Sequence, residues 1–209
     1  MKINEEIKVK IYKKKIILLS LVIVFIVGLL FGSIYLSVID NENKKVVINS
    51  VKEYIYGFNK INFVNKLEIF KTSLFRYLSY FLSIWLLGIS VIGLPIIILM
   101  LFFNAFSTGF SISSIFALFK FKGIIGIIFY MFPSNIIFIL YSLFLGAYSI
   151  DISLKLGKYA LKKKAFNFNS FMNKYFLLLL ISIILSVLMS LSDAFLSPTL
   201  FKLFTKLLK

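Results

Sequence analysis

The chain has 209 residues, of which 60% are hydrophobic and 18% aromatic, with a mean hydropathy of +0.98. A soluble domain is about 45–50% apolar, and one of this length could not hide so much apolar surface from water. Neither Cys nor His occurs, which excludes disulfides, thiolate or imidazole zinc sites, HExxH helices, and Ser-His-Asp or Cys-His nucleophile systems. Basic residues outnumber acidic ones 24 to 8, and Arg76 is the one Arg among them. Nucleic-acid readers rely on Arg for base edges and phosphates, so this Lys surplus reads as the loop charge of a membrane protein. The predicted class is an all-α, polytopic transmembrane helical bundle.

In chain order, residues 1–15 carry six Lys and two Glu. Residues 16–39 follow without a charge. As a helix they reach about 36 Å, enough to cross a ~30 Å hydrocarbon core with tilt. The apolar stretch is too long for a cleaved signal peptide, and Leu36-Ser37-Val38-Ile39 is a poor cleavage site. It reads as an uncleaved first span.

Residues 40–76 are the one sizeable polar stretch, with Asp40, Glu42, Glu53 and Glu68 set against six Lys and Arg76. Val47, Val51, Ile55 and Phe58 recur three or four apart, and so do Phe63, Leu67, Phe70 and Leu74. This spacing predicts two short amphipathic helices, with Asn62 as a cap for the second. Their apolar faces either lie on the bilayer or bundle, or form a partner-binding surface.

Residues 77–119 hold no charge. One helix of that length would reach about 65 Å, so the segment must turn back. Two breaks are available: Gly93-Leu94-Pro95, where proline disfavours helix, and the polar patch 104–109. Lys120 and Lys122 mark a loop. Residues 123–150 form a further span interrupted by Pro133, residues 151–174 form a second basic loop, and 175–196 form the last span. The tail 197–209 has a short amphipathic pattern. The positive-inside rule places 1–15 and 151–174 in the cytoplasm. An even number of crossings must then separate them, so 77–119 supplies two. Five crossings result, with the N-terminus inside and both 40–76 and the tail outside.

Chemistry-bearing residues are few. The acids of 40–76 sit in a short loop without a cleft to separate their pKa values, as glycoside hydrolysis would require, and read as solvated partners of Lys. Asp151 and Asp193 fall near opposite ends of their spans. An intramembrane acid is a functional candidate, and an enzyme built here would need these two as a pair. Asn135 either satisfies backbone freed by Pro133 or lines a polar interior. Small residues repeat at four-residue spacing: Gly28 and Gly32; Gly109, Ser113 and Ala117; Ser182, Ser186, Ser190 and Ala194. Such stripes pack helices closely. Glycine-rich phosphate loops are absent from the sequence.

The stretch Ile84-Trp85-Leu86-Leu87-Gly88-Ile89-Ser90-Val91-Ile92-Gly93-Leu94-Pro95 resembles the signature of the stage II sporulation protein M family. The resemblance continues through Ser107-Thr108-Gly109-Phe110, Phe121-Lys122-Gly123, Phe132-Pro133-Ser134-Asn135 and residues 148–155, to Leu196-Ser197-Pro198. Relatives often carry Lys-Gly where this chain has Asn104-Ala105. Trp85, Gly88, Ser90, Gly93, Pro95, Gly109, Pro133 and Asn135 are the signature positions. The resemblance implies a non-catalytic scaffold without cofactor in the mother-cell membrane at the sporulation septum. It would recruit two peptidoglycan-degrading partners, stage II sporulation proteins D and P, during forespore engulfment. A second copy of the chain is a further candidate partner. The rival reading is a permease-like transporter subunit, using Asn135 and the proline-broken spans as a midplane pathway.

Overall fold

The computed structural model describes residues 2–58, 63–162 and 168–208. It is an all-α bundle with no strand among the described residues. The helices are α1 (Lys2–Val38), α2 (Asn41–Gly57), α3 (Phe63–Gly88), α4 (Gly93–Phe119), α5 (Gly123–Met131), α6 (Ser134–Lys162) and α7 (Phe168–Leu207). A single 3-10 turn, Lys120–Lys122, joins α4 to α5.

Four segments are long and apolar enough to cross a membrane: Lys14–Val38, Gly93–Met131, Ser134–Tyr159 and Tyr175–Leu207. The fifth expected crossing differs. It is the C-terminal part of α3, which also contains the second predicted amphipathic group in one unbroken helix. Charges at Lys66, Glu68, Lys71 and Arg76 set a hydropathy boundary but do not break a helix. No Gly or Pro intervenes before Gly88. The apolar part of α3 is only about 18 Å long, and its Tyr77, Phe81 and Ile84 are buried among other helices. Its neighbours, more than lipid, supply its apolar surroundings. Asn62, the expected cap, lies outside the described residues, and so does the side chain of Phe63.

Of the two candidate breaks in 77–119, the chain turns at 89–92, and Asn104 lies inside α4. The expected span 123–150 is divided at Pro133. The part long and apolar enough to cross is α6, while α5 packs against α4 and α7. The tail does not separate from the last span, because α7 continues through Pro198 to Leu207.

Small residues fix the packing. α1 and α4 run parallel and in contact along much of their length. A Cβ on Gly28 would stand 2.7 Å from the Phe102 carbonyl oxygen, one on Gly32 2.0 Å from that of Phe106, and one on Gly109 2.2 Å from that of Leu29. Ser33 seals the crossing, its Oγ donating to the carbonyls of Leu29 (2.9 Å) and Gly109 (3.2 Å). Ser113 is only half-buried and Ala117 is exposed, so that stripe packs at Gly109 alone. On α7, Ser182, Ser186, Ser190 and Ala194 are all buried. The three serine hydroxyls donate to carbonyls one turn back, which satisfies them within the helix and keeps its surface narrow.

Two cores result. The main one joins α1, α3, α4, α6 and α7 around Leu21, Phe81, Ile97, Leu101 and Leu145. A smaller one caps the bundle at the end away from the Lys-rich loop. There Ile55 of α2 and Phe58, the residue just past its end, meet Ile115 of α4 and Phe201 and Phe204 of α7. The Phe58 and Phe201 rings stack at 4.8 Å and 9°.

Candidate functional site

Five of the eight signature residues, Trp85, Gly88, Ser90, Gly93 and Pro95, gather at the basic end. Gly93 starts α4 so close to the end of α3 that a Cβ would stand 1.9 Å from the Leu87 carbonyl oxygen. A Cβ on Gly88 would meet the Tyr175 hydroxyl at 2.3 Å and the Ser149 Cβ at 2.7 Å. Only glycine lets this turn seat against α6 and α7. Pro95 falls in the first turn of α4, where its missing N–H is harmless. Ser153 Oγ donates to the Ser90 carbonyl at 2.8 Å. Trp85 Nε1 donates to the Tyr175 carbonyl at 3.0 Å, the Tyr175 hydroxyl donates to the Trp85 carbonyl, and the rings stack at 5.0 Å. Lys14 Nζ lies 4.4 Å from the Tyr148 ring and ties the basic start of α1 to the same end.

Gly109 belongs to the α1–α4 crossing described above. Pro133 and Asn135 sit at the α5–α6 junction. Asn135 Nδ2 donates to the Tyr130 carbonyl at 2.6 Å, and the residue also borders two cavities. Asn135 thus satisfies a carbonyl near the end of α5 and lines the cavities beside it.

The seven described positions among the eight apolar ones predicted in 40–76 do not form one free face. Ile55 and Phe58 are buried, and Val51 packs beside them in the cap core. Val47, Phe70 and Leu74 are half-buried. Leu67 is exposed. The first apolar group is thus used inside the chain, which sequence periodicity could not distinguish from an outward face. The start of α2 is set by Asp40, which accepts from the Asn43 backbone N–H at 3.4 Å and from its Nδ2 at 2.7 Å. These bonds, the side-chain one foremost, hold the carboxyl below its ordinary pKa.

Asp151 and Asp193 do not meet. Asp151 pairs with Lys155 one turn along α6, at the basic end. Asp193 pairs across the bundle with Arg76 of α3 at 3.2 Å and accepts from the Tyr77 hydroxyl at 2.8 Å. Arg76 Nη2 also donates to the Tyr77 hydroxyl at 2.9 Å. The Asp193 side chain is 16% exposed, against 62% for Arg76. At 1.5 Å per residue, Asp193 lies about 27 Å along α7 from Tyr175, close to the ~30 Å thickness of a hydrocarbon core. This triad links α3 to α7 beside the cap. Sequence reasoning missed it; the one available signal was that the chain's single Arg borders its longest charge-free run.

A model of one protein family, described as stage II sporulation protein M, matches residues 21–198. The chain belongs to the SpoIIM family. That membership makes it a sporulation-related membrane protein. The match begins in the apolar part of α1 and ends at Pro198 inside α7, so it takes in the signature turn, the α1–α4 crossing and the Arg76–Asp193 pair. No curated protein and no solved structure shows significant similarity to the chain.

Proposed function

We propose that this SpoIIM-family protein is a non-catalytic, multi-pass membrane scaffold. It recruits peptidoglycan-degrading enzymes, stage II sporulation proteins D and P, to the mother-cell membrane during forespore engulfment. Family membership over residues 21–198 carries the reading. In this orientation the basic end, with Lys14, Lys155 and Lys158, faces the cytoplasm, in keeping with the positive-inside rule. The cap then faces the wall, where hydrolases act. Holding them at one membrane raises their local concentration there.

The half of the bundle towards the basic end supports a scaffold more than a conduit, since Leu21, Phe81, Ile84, Ile97, Leu101 and Leu145 fill it. Because the α2 apolar face is already covered, recruitment uses outward positions of the cap such as Val46 and Leu67, both exposed. The test is the position of fluorescently tagged hydrolases in sporulating cells that carry Val46→Asp together with Leu67→Asp. Loss of their enrichment at the engulfing membrane, with the scaffold itself still there, is the expected result. Unchanged enrichment overturns the docking assignment.

The Asn135-bordered cavities favour the permease-like subunit as the second reading. Solute uptake into vesicles containing the purified protein would establish it.

A further inference from the structure

Two cavities lie side by side along α3. One, of about 540 Å³, sits under the cap, and its charged wall residues are Glu68, Arg76 and Asp193. The other, of about 500 Å³, runs between α3 and α4, with Leu99, Phe103 and Phe138 on its wall. Arg76, Tyr130 and Asn135 border both, so the two adjoin at these residues and together offer a polar end and an apolar end. Leu99 and Phe103 are 53% and 63% exposed. They belong to a helix apolar enough to span a membrane, so the apolar end opens sideways towards lipid. The polar end stands at the Asp193 level, near the hydrocarbon boundary on the cap side.

This is the shape of a membrane amphiphile, and the charges specify its headgroup. Arg76 uses Nη2 for both Tyr77 and Asp193. Among the described residues its Nε and Nη1 protons have no acceptor, and a guanidinium suits phosphate. Glu68 and Asp193 together outnumber Arg76, so a simple anion would meet a surplus of like charge. A headgroup with both phosphate and ammonium satisfies both signs. Asn104 offers a further donor below it: its Nδ2 is buried on the wall of the second cavity, turned towards the Tyr80 hydroxyl and with no acceptor at full hydrogen-bond geometry among the described residues. That position matches the ester carbonyls between a phosphate and its acyl chains.

We propose that these adjoining cavities together bind one phospholipid whose headgroup carries a phosphate and a primary amine. The phosphate rests on Arg76, the ammonium lies between Glu68 and Asp193, and an acyl chain follows Leu99 and Phe103.

The test uses the full-length protein, delipidated in detergent and titrated with phosphatidylethanolamine or phosphatidylglycerol, with occupancy read by native mass spectrometry. Phosphatidylethanolamine should bind about tenfold or more tightly than phosphatidylglycerol, the scale of one charge-assisted hydrogen bond. Arg76→Gln should weaken it about tenfold. Glu68→Gln should shrink the preference between the two lipids. Leu99→Trp, at an exposed position outside the ion pair, should lower occupancy without lowering the unfolding temperature, which keeps the test decisive if Arg76→Gln impairs folding. Equal or tighter binding of phosphatidylglycerol overturns the proposal. So does wild-type occupancy in both Glu68→Gln and Leu99→Trp, or occupancy that appears only after a partner protein is added.

Discussion

Gly32→Ala adds one methyl group to the α1–α4 crossing. In most helices this change stabilises by roughly 0.5–1 kcal/mol, because alanine has less backbone freedom to lose. Here the new Cβ would stand 2.0 Å from the Phe106 carbonyl oxygen and 2.8 Å from its carbon. Ordinary contact begins near 3.4 Å, so the helices must separate by roughly an ångström, and the obstacle is backbone that cannot rotate aside. Overpacking of this kind costs about 1–3 kcal/mol. It would outweigh the helix-propensity gain and reverse the usual sign. Gly57→Ala is the matched control, since nothing lies within 4 Å of its Cβ. That variant should be neutral or gain up to about 1 kcal/mol. Denaturant-induced unfolding in detergent, followed by circular dichroism, compares both with the wild type. A Gly32→Ala protein at least as stable as the wild type would refute the close parallel crossing.

Tyr77→Phe keeps the buried ring but removes the donor to Asp193, and a double-mutant cycle with Asp193→Asn should give a coupling of about 1–2 kcal/mol; additive losses would contradict the triad. Phe201→Ala removes a buried ring stacked on Phe58 and should cost about 3–5 kcal/mol. Hydrogen exchange should show α2 losing protection before α4, and simultaneous loss would argue against a separate cap core. Asp40 has a depressed folded pKa, so the capping contribution is complete above the ordinary carboxylate pKa of about 3.9 and is lost as pH falls through the lower folded value. Relative to Asp40→Asn, amide exchange in the first turn of α2 should therefore accelerate only under acid, and a difference that grows towards neutral pH would be the wrong sign.

The spans were legible because a charge-free run of two dozen residues has few alternatives to a membrane. Contacts between distant segments were not. The α2 face of Ile55 and Phe58 has an outward-looking pattern until Phe201, far along the chain, supplies the surface that covers it. Gly93-Leu94-Pro95 and the 104–109 patch were equal candidates for the turn by composition. What separates them is packing: Gly88 and Gly93 permit backbone approaches that no side chain could, whereas Asn104 is tolerated within α4 as part of a cavity wall. The boundary at Arg76 marked a change in hydropathy correctly but not a change of helix. Asp193 was legible as an acid near the end of its span but not as a partner of Arg76, because Arg76 lies on another helix. The small-residue stripes, by contrast, carried their meaning locally, and Gly28, Gly32 and Ser182–Ser190 pack within the chain as such stripes commonly do.

The central claim is recruitment without catalysis. Its most direct test is reconstitution of the purified chain in liposomes, followed by addition of the soluble wall-facing parts of the two hydrolases and isolated peptidoglycan. Saturable capture of the hydrolases, abolished by Val46→Asp with Leu67→Asp, and wall cleavage only when they are present is the predicted result. Cleavage by the scaffold alone, or capture equal to that of empty liposomes, would contradict it.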